Sequence, residues 1–161
     1  MLIYVLRHGI AEDALAGQPD SERALTKEGK SKLERTLERA AAAGVQPGVI
    51  LTSPYLRARE TARIAAEVLG VETPLVTVPE LTPDGSPHDV WQKIREQGDA
   101  KSLLVAGHEP LLSQLVAYLL GAPSLQVEMK KGALVAVDCA SLRGQPRGVL
   151  QWMLTGRLAS A

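Results

Sequence analysis

Leu2-Ile3-Tyr4-Val5-Leu6-Arg7-His8-Gly9 is an apolar run of β-formers that ends abruptly in an arginine, a histidine and a glycine. A short apolar run of this kind predicts a buried strand. Downstream, Ile10 to Arg23 is polar, carries Gly17 and Pro19, and reads as a loop. Thr26 is placed to cap a helix over about Lys27 to Ala43, with Gly44 as its stop. Leu33 and Leu37 share one face of that helix. Val49 to Thr52 is a second apolar strand. Ser53-Pro54 follows as an N-cap with proline at the first helical position, opening a helix that runs to about Leu69 and stops at Gly70. Leu75 to Val78 predicts a third strand, Pro79 to Pro87 a loop, and His88 to Gln97 a helix. Ser102 to Ala106 is a further strand. Gly107-His108-Glu109-Pro110 then turns into an apolar helix, Leu111 to Leu120. Ala133 to Cys139 and Val149 to Leu154 are joined too tightly for a helical crossover, so they pair antiparallel. Strands and helices alternate, then two strands close the chain. The expected fold is α/β, a three-layer sandwich with a mostly parallel central sheet and helices on both faces.

The chain has 161 residues, the length of one domain over residues 1–161 with a single core. Its 45% apolar content argues against global disorder. Lys plus Arg, at 18, equals Asp plus Glu, at 18. That balance points neither to nucleic acid nor to an anionic membrane as a partner, though it averages over any local basic pocket. Cys139 is the one cysteine. Among Val135, Ala136 and Val137 it reads as an inert core thiol, compatible with a reducing cytosol. There is no basic leader followed by an apolar stretch, and no apolar run of membrane-spanning length. A cytoplasmic monomer is expected.

Three strand-to-helix junctions carry the chemistry: Arg7-His8-Gly9, Ser53-Pro54-Tyr55-Leu56-Arg57-Ala58 and Gly107-His108-Glu109-Pro110. In open α/β sheets the ligand crevice lies beyond the carboxyl ends of the strands. The three junctions should therefore face one crevice, with Arg7, His8, Arg57 and His108 as neighbours. These residue types suit phosphoryl transfer, in which negative charge spreads over equatorial oxygens and needs positioned cations. The planar fork of arginine grips two oxygens and stays charged. His8, if neutral, can attack phosphorus. His108 can donate to a non-bridging oxygen, a task better served by the protonated ring. Arg57 falls in the first turn of its helix, where the dipole also favours phosphate. Gly9 and Ser53 are further candidates for contact with the anion, Ser53 being first a helix cap.

The chain resembles the histidine phosphatases of the phosphoglycerate-mutase-like superfamily, and among them the small SixA-type phosphohistidine phosphatases. The resemblance rests on Leu6-Arg7-His8-Gly9, on Arg23-Ala24-Leu25-Thr26-Lys27-Glu28-Gly29, and on Thr52 through Ala62. It continues in Pro79-Glu80-Leu81-Thr82-Pro83 and in Val105-Ala106-Gly107-His108-Glu109-Pro110-Leu111. It implies that His8 becomes phosphorylated and is then hydrolysed, that Arg7, Arg57 and His108 form the phosphate pocket, and that neither a metal nor an organic cofactor takes part.

One departure is informative. Many superfamily members carry a glutamate, in a Leu-x-Glu stretch, as general acid. Here Leu81-Thr82-Pro83 puts proline in that place. Glu80 and Asp84 are close but out of register, and Glu12, Asp13 and Glu109 are other candidates, each readable as a solvated charge. An ester leaves as a basic alkoxide and needs a proton donor. A phosphohistidine leaves as imidazole, whose conjugate acid has a pKa of about 6.5, so it needs an enzymic acid less. The short chain also leaves little sequence for a lid. Both points favour a phosphorylated protein, such as a histidine-containing phosphotransfer domain, over a sugar phosphate. A small-molecule phosphomonoesterase and a non-catalytic phosphate-binding module are the alternatives. Outside the site, Arg59, Arg63 and His88 read as solvated charges, Trp91 and Trp152 as core or partial core. Lys130-Lys131-Gly132 reads as a polar approach to a strand, with a supporting role at the crevice left open.

Overall fold

Strand β1 (Leu2–Arg7) lies inside a six-stranded sheet with β2 (Val49–Thr52), β3 (Val76–Thr77), β4 (Ser102–Gly107), β5 (Leu134–Asp138) and β6 (Val149–Leu154), in the order β3-β2-β4-β1-β5-β6. The structure, a computed structural model, describes residues 1–161. The pairs β1–β4, β2–β4 and β2–β3 are parallel, while β1–β5 and β5–β6 are antiparallel. The sheet is therefore mostly parallel at one side and closes with the expected antiparallel pair.

Alternation along β1 sends Ile3 and Val5 to one face and Tyr4 and Leu6 to the other. Ile3 and Val5 pack with Trp91 and Ile94 of α3 (Pro87–Arg95) and with the leucines of α4 (Leu111–Leu119). Tyr4 and Leu6 pack with Leu33 and Leu37 of α1 (Lys27–Ala42) and with Ala62 and Ala65 of α2 (Leu56–Leu69). A strand with helices on both faces must be apolar throughout, which is why its sequence shows no alternation. The short α5 (Gly156–Ala159) lies against α1. Trp91 is fully buried, whereas Trp152 on the edge strand β6 is 36% exposed and rests on Tyr4. Cys139 is buried, and burial pushes its thiol up to about 11, as an inert core residue should be.

Helix α1 begins as expected, with the Thr26 hydroxyl accepting from the Gly29 N–H at 2.8 Å. Helix α2 does not. Ser53 and Pro54 precede it, Tyr55 is the N-cap and Leu56 the first helical residue. The Tyr55 carbonyl accepts the first helical hydrogen bonds, from Ala58 and Arg59. The Ser53 hydroxyl, two residues ahead of that cap, accepts from the Tyr55 N–H at 3.2 Å. The polar stretch after β1 is also more ordered than a plain loop, because Asp20–Glu22 forms a 3-10 turn. A second such turn, Pro79–Leu81, occupies the start of the stretch expected to be loop. No helix is long and apolar enough to cross a membrane.

Candidate active site

Parallel register sets Arg7 beside Gly107 and Thr52 beside Ala106. The ends of β1, β4 and β2 thus open on one edge of the sheet, where α/β proteins bind ligands. His8 and His108 stand one step beyond those ends, and their ring centroids are 5.1 Å apart. Arg57, the second residue of α2, reaches across to them, its Nε donating to His8 Nε2 at 3.3 Å. Arg7 completes the group as a positive charge acting on both histidines.

His8 is buried, and its Nδ1 lies 2.7 Å from the Gly9 carbonyl oxygen. A carbonyl only accepts, so Nδ1 carries the proton and Nε2 carries the lone pair. The contact from Arg57 Nε agrees with that tautomer. Burial lowers the His8 pKa to about 4, against the hydrogen bond to Gly9, and the charges of Arg57, Arg7 and Lys131 add to the lowering. His8 is therefore a neutral imidazole at pH 7, with its lone pair on the atom that faces Arg57.

His108 is buried too, and its Nε2 sits 2.7 Å from the Ser53 hydroxyl. Burial lowers its pKa to about 3, with His8 and Arg57 contributing. The protonated ring expected for this residue is thus not the state that its surroundings favour, first because it is buried and then because two cations and a second imidazole lie near it. It can still donate while neutral. If the Ser53 hydroxyl donates to Nε2, the proton sits on Nδ1, which is buried and without a partner. An anionic oxygen would satisfy that atom, and the charge of such an anion would raise the pKa again.

Arg57 is held at several points. Its Nη1 donates to the Asp20 carbonyl at 2.8 Å, its Nη2 pairs with the Asp20 carboxylate at 3.0 Å, and its guanidinium lies over the Tyr55 ring. Arg7 donates from Nη1 to the Met129 carbonyl at 2.8 Å, while its buried Nε has no partner. Ser53 is fully buried and supports His108. Gly9 is in the site, but its N–H is taken by the Thr61 hydroxyl at 3.2 Å, which in turn donates to the Arg57 carbonyl. Gly9 therefore braces His8 and α2 and has no free backbone donor for an anion.

None of the acids singled out in the sequence reaches the histidine pair. Glu80 lies 3.8 Å from Lys93 on α3, with its other oxygen buried and unpaired. Asp84 accepts from Thr82, and Glu109 from the Ser113 N–H in the first turn of α4. Glu12 and Asp13 are exposed. The acid at the site is one the sequence reading passed over, Asp20. Partial burial acts to raise its pKa, and hydrogen bonds from Arg57 and Arg23 outweigh that and lower it. Asp20 is thus an ionised anchor for Arg57 and not a proton donor. The one hint in the sequence is its spacing from Arg23, three residues on, with which it pairs at 2.8 Å. Thr61 was also missed; it lies one helical turn beyond Arg57.

Comparison with known proteins places the chain in a family. Residues 3–82, which include Arg7, His8 and Arg57, match the model of the histidine phosphatase superfamily, branch 1. The chain is 34% identical over 122 residues, 74% of each chain, to the phosphohistidine phosphatase SixA of Escherichia coli. It is 32% identical over 149 residues, 90% of this chain and 89% of the other, to an uncharacterised protein of Picosynechococcus. Among solved structures it superposes on the protein histidine phosphatase SixA complexed with tungstate, with a TM-score of 0.85, 27% identity and 98% of each chain covered. Identity at that level over most of both chains, on a shared fold, is descent and not coincidence of motif, and the chain belongs to the histidine phosphatase superfamily as a phosphatase.

Proposed function

We propose that the protein hydrolyses phosphohistidine on protein substrates of the histidine-containing phosphotransfer kind, through a covalent phosphohistidine on His8. The observation that carries this reading is the fixed tautomer of His8. Nδ1 donates to the Gly9 carbonyl, which leaves the Nε2 lone pair beside the guanidinium of Arg57. A nucleophile presented next to a cation is what attack on a phosphoryl group requires.

In the first step Nε2 bonds to phosphorus as the P–N bond of the substrate breaks. The departing imidazole takes its proton from water, or arrives already protonated. Arg7 and Arg57 hold the equatorial oxygens, and His108 donates from Nδ1 to one of them. In the second step water attacks phosphorus, the P–Nε2 bond returns its electron pair to His8, and inorganic phosphate leaves with the water's proton shed to phosphate or solvent. Asp20 positions Arg57 throughout. The absence of a neutral carboxylic acid at the histidine pair favours a leaving group that needs little protonation, which is an imidazole and not an alkoxide. Similarity to the Escherichia coli phosphohistidine phosphatase supports the same substrate class.

Phosphate release should be measured from a phosphorylated phosphotransfer domain and from a panel of phosphate esters, with the parent and His8→Ala. The domain should be preferred, and His8→Ala should lose ~10³-fold or more in kcat. A clear preference for an ester would overturn the substrate assignment. Undiminished turnover by His8→Ala would overturn the nucleophile.

A further inference from the structure

A sizeable concavity lies beside the two histidines and is not lined by either of them. It is a trough of about 810 Å³ between α1, α5 and the segment leading into β5, and it opens beside the site through Arg7 and Gly9. Besides Arg7, its walls carry Lys32 of α1, Lys130 and Lys131 before β5, and Arg157 of α5. No aspartate or glutamate lines it. In a chain of formal net charge zero, this is a strong local concentration of cations. Lys32 and Lys130 each hold one exposed carboxylate, Glu28 and Glu128. Surface pairs of that kind are weak and exchange readily for another anion. Lys131 and Arg157 form no ion pair at all.

We propose that the trough docks an acidic segment of the protein that carries the phosphohistidine, leading away from the phosphoryl group past Arg7. This rests on the phosphohistidine reading above and adds to it a partner chemistry and a surface. Contiguity with Arg7 and Gly9 puts the mouth of the trough within reach of a chain whose phosphoryl group sits at His8. The lining selects among polyanions. It has no aromatic side chain, so nucleic-acid bases find nothing to stack on. It is concave and floored by Gly9, Gly29 and Gly132, a shape that admits a chain segment and not a bilayer plane. Free phosphate would find no buried pair of cations at its own size, since the lysines and Arg157 are exposed. Carboxylates spaced along an extended segment match cations spread along a groove, and such rim charges act mainly on encounter rate and salt dependence.

The test uses two synthetic peptides carrying phosphohistidine, one flanked by a run of glutamates and one by glutamines in the same places. Both are offered to the full-length protein and to the double variant Lys32→Glu/Arg157→Glu. Neither substituted residue belongs to the catalytic group; Lys131 is avoided because its charge reaches His8. At low salt the parent should favour the glutamate peptide by about tenfold in kcat/KM. That preference should vanish in the double variant and at high salt, while the glutamine peptide is turned over equally by both proteins, which also shows that the variant folds. Equal kcat/KM for the two peptides on the parent would overturn the docking site and leave the hydrolase intact. No turnover of either peptide would overturn the phosphohistidine reading itself, and the docking site with it. Equal peptides together with charge-dependent binding to phosphatidylserine vesicles would reassign the trough to a membrane and overturn the proposal.

Discussion

Arg57 shows how a single cation is made useful. A long guanidinium side chain is floppy by default, and here it is fixed by the Asp20 carbonyl, the Asp20 carboxylate, the Tyr55 ring and His8. Replacing Asp20 by Asn keeps the shape and removes the charge that holds Nη2. Asp20→Asn should lower kcat/KM about tenfold, about 1.4 kcal/mol of transition-state stabilisation, with the melting temperature within a few degrees of the parent. Steady-state kinetics on a phosphohistidine substrate would decide it, and an unchanged kcat/KM would show that Arg57 needs no anchor. Arg7, His8, Arg57 and His108 were legible in the sequence because each lies at or soon after a strand end, and topology sends parallel strand ends to one place. Asp20 and Thr61 were not legible. Asp20 sits in a polar stretch where an aspartate is ordinarily solvated, and only the fold carries that stretch back over α2. Thr61 is buried as a brace between Gly9 and Arg57, a contact that no local pattern announces.

Helix α1 owes its position to a close approach. A Cβ added to Gly29 would overlap the carbonyl oxygen of Ile10, and backbone on both sides leaves nothing to yield. Ile10 begins the segment that carries Asp20, so Gly29 couples the seating of α1 to the anchor of Arg57. Gly29→Ala should cost roughly 2–4 kcal/mol by denaturant titration and should lower activity further than stability alone accounts for. A neutral change in both would contradict the packing. The start of α2 is the converse case. Ser53-Pro54 has the local chemistry of a helix cap, but the helix starts two residues later than that chemistry predicts, and the Ser53 hydroxyl accepts from the Tyr55 N–H while it also meets His108 from another strand end. A buried hydroxyl is satisfied here by a local and a tertiary partner together. The apolar runs of strands β1, β2 and β4 predict them to within a residue.

At the scale of the whole molecule, the site is built against stability. Two imidazoles are buried in neutral form beside two arginines, with pKa values near 4 and 3 in place of 6.5. Below about pH 6.5 the unfolded chain binds protons on both rings that the folded chain refuses, so stability falls as pH falls across that window and is fully present above it. Thermal melts between pH 7 and about pH 5 should therefore show a drop that is smaller in a His8→Asn/His108→Asn double variant. An equal drop in both would mean that the imidazoles are not the groups responsible. The sheet, the two helical layers and the tautomer of His8 all converge on one atom, and the most direct test reads that atom. The parent should be mixed with a phosphohistidine substrate, quenched in alkali within one turnover, and examined by phosphorus NMR and peptide mass spectrometry. An acid-labile phosphoryl group on Nε2 of His8, absent from His8→Ala, is the predicted result. Turnover by the parent with no adduct, or with the phosphoryl group on another residue, would contradict it.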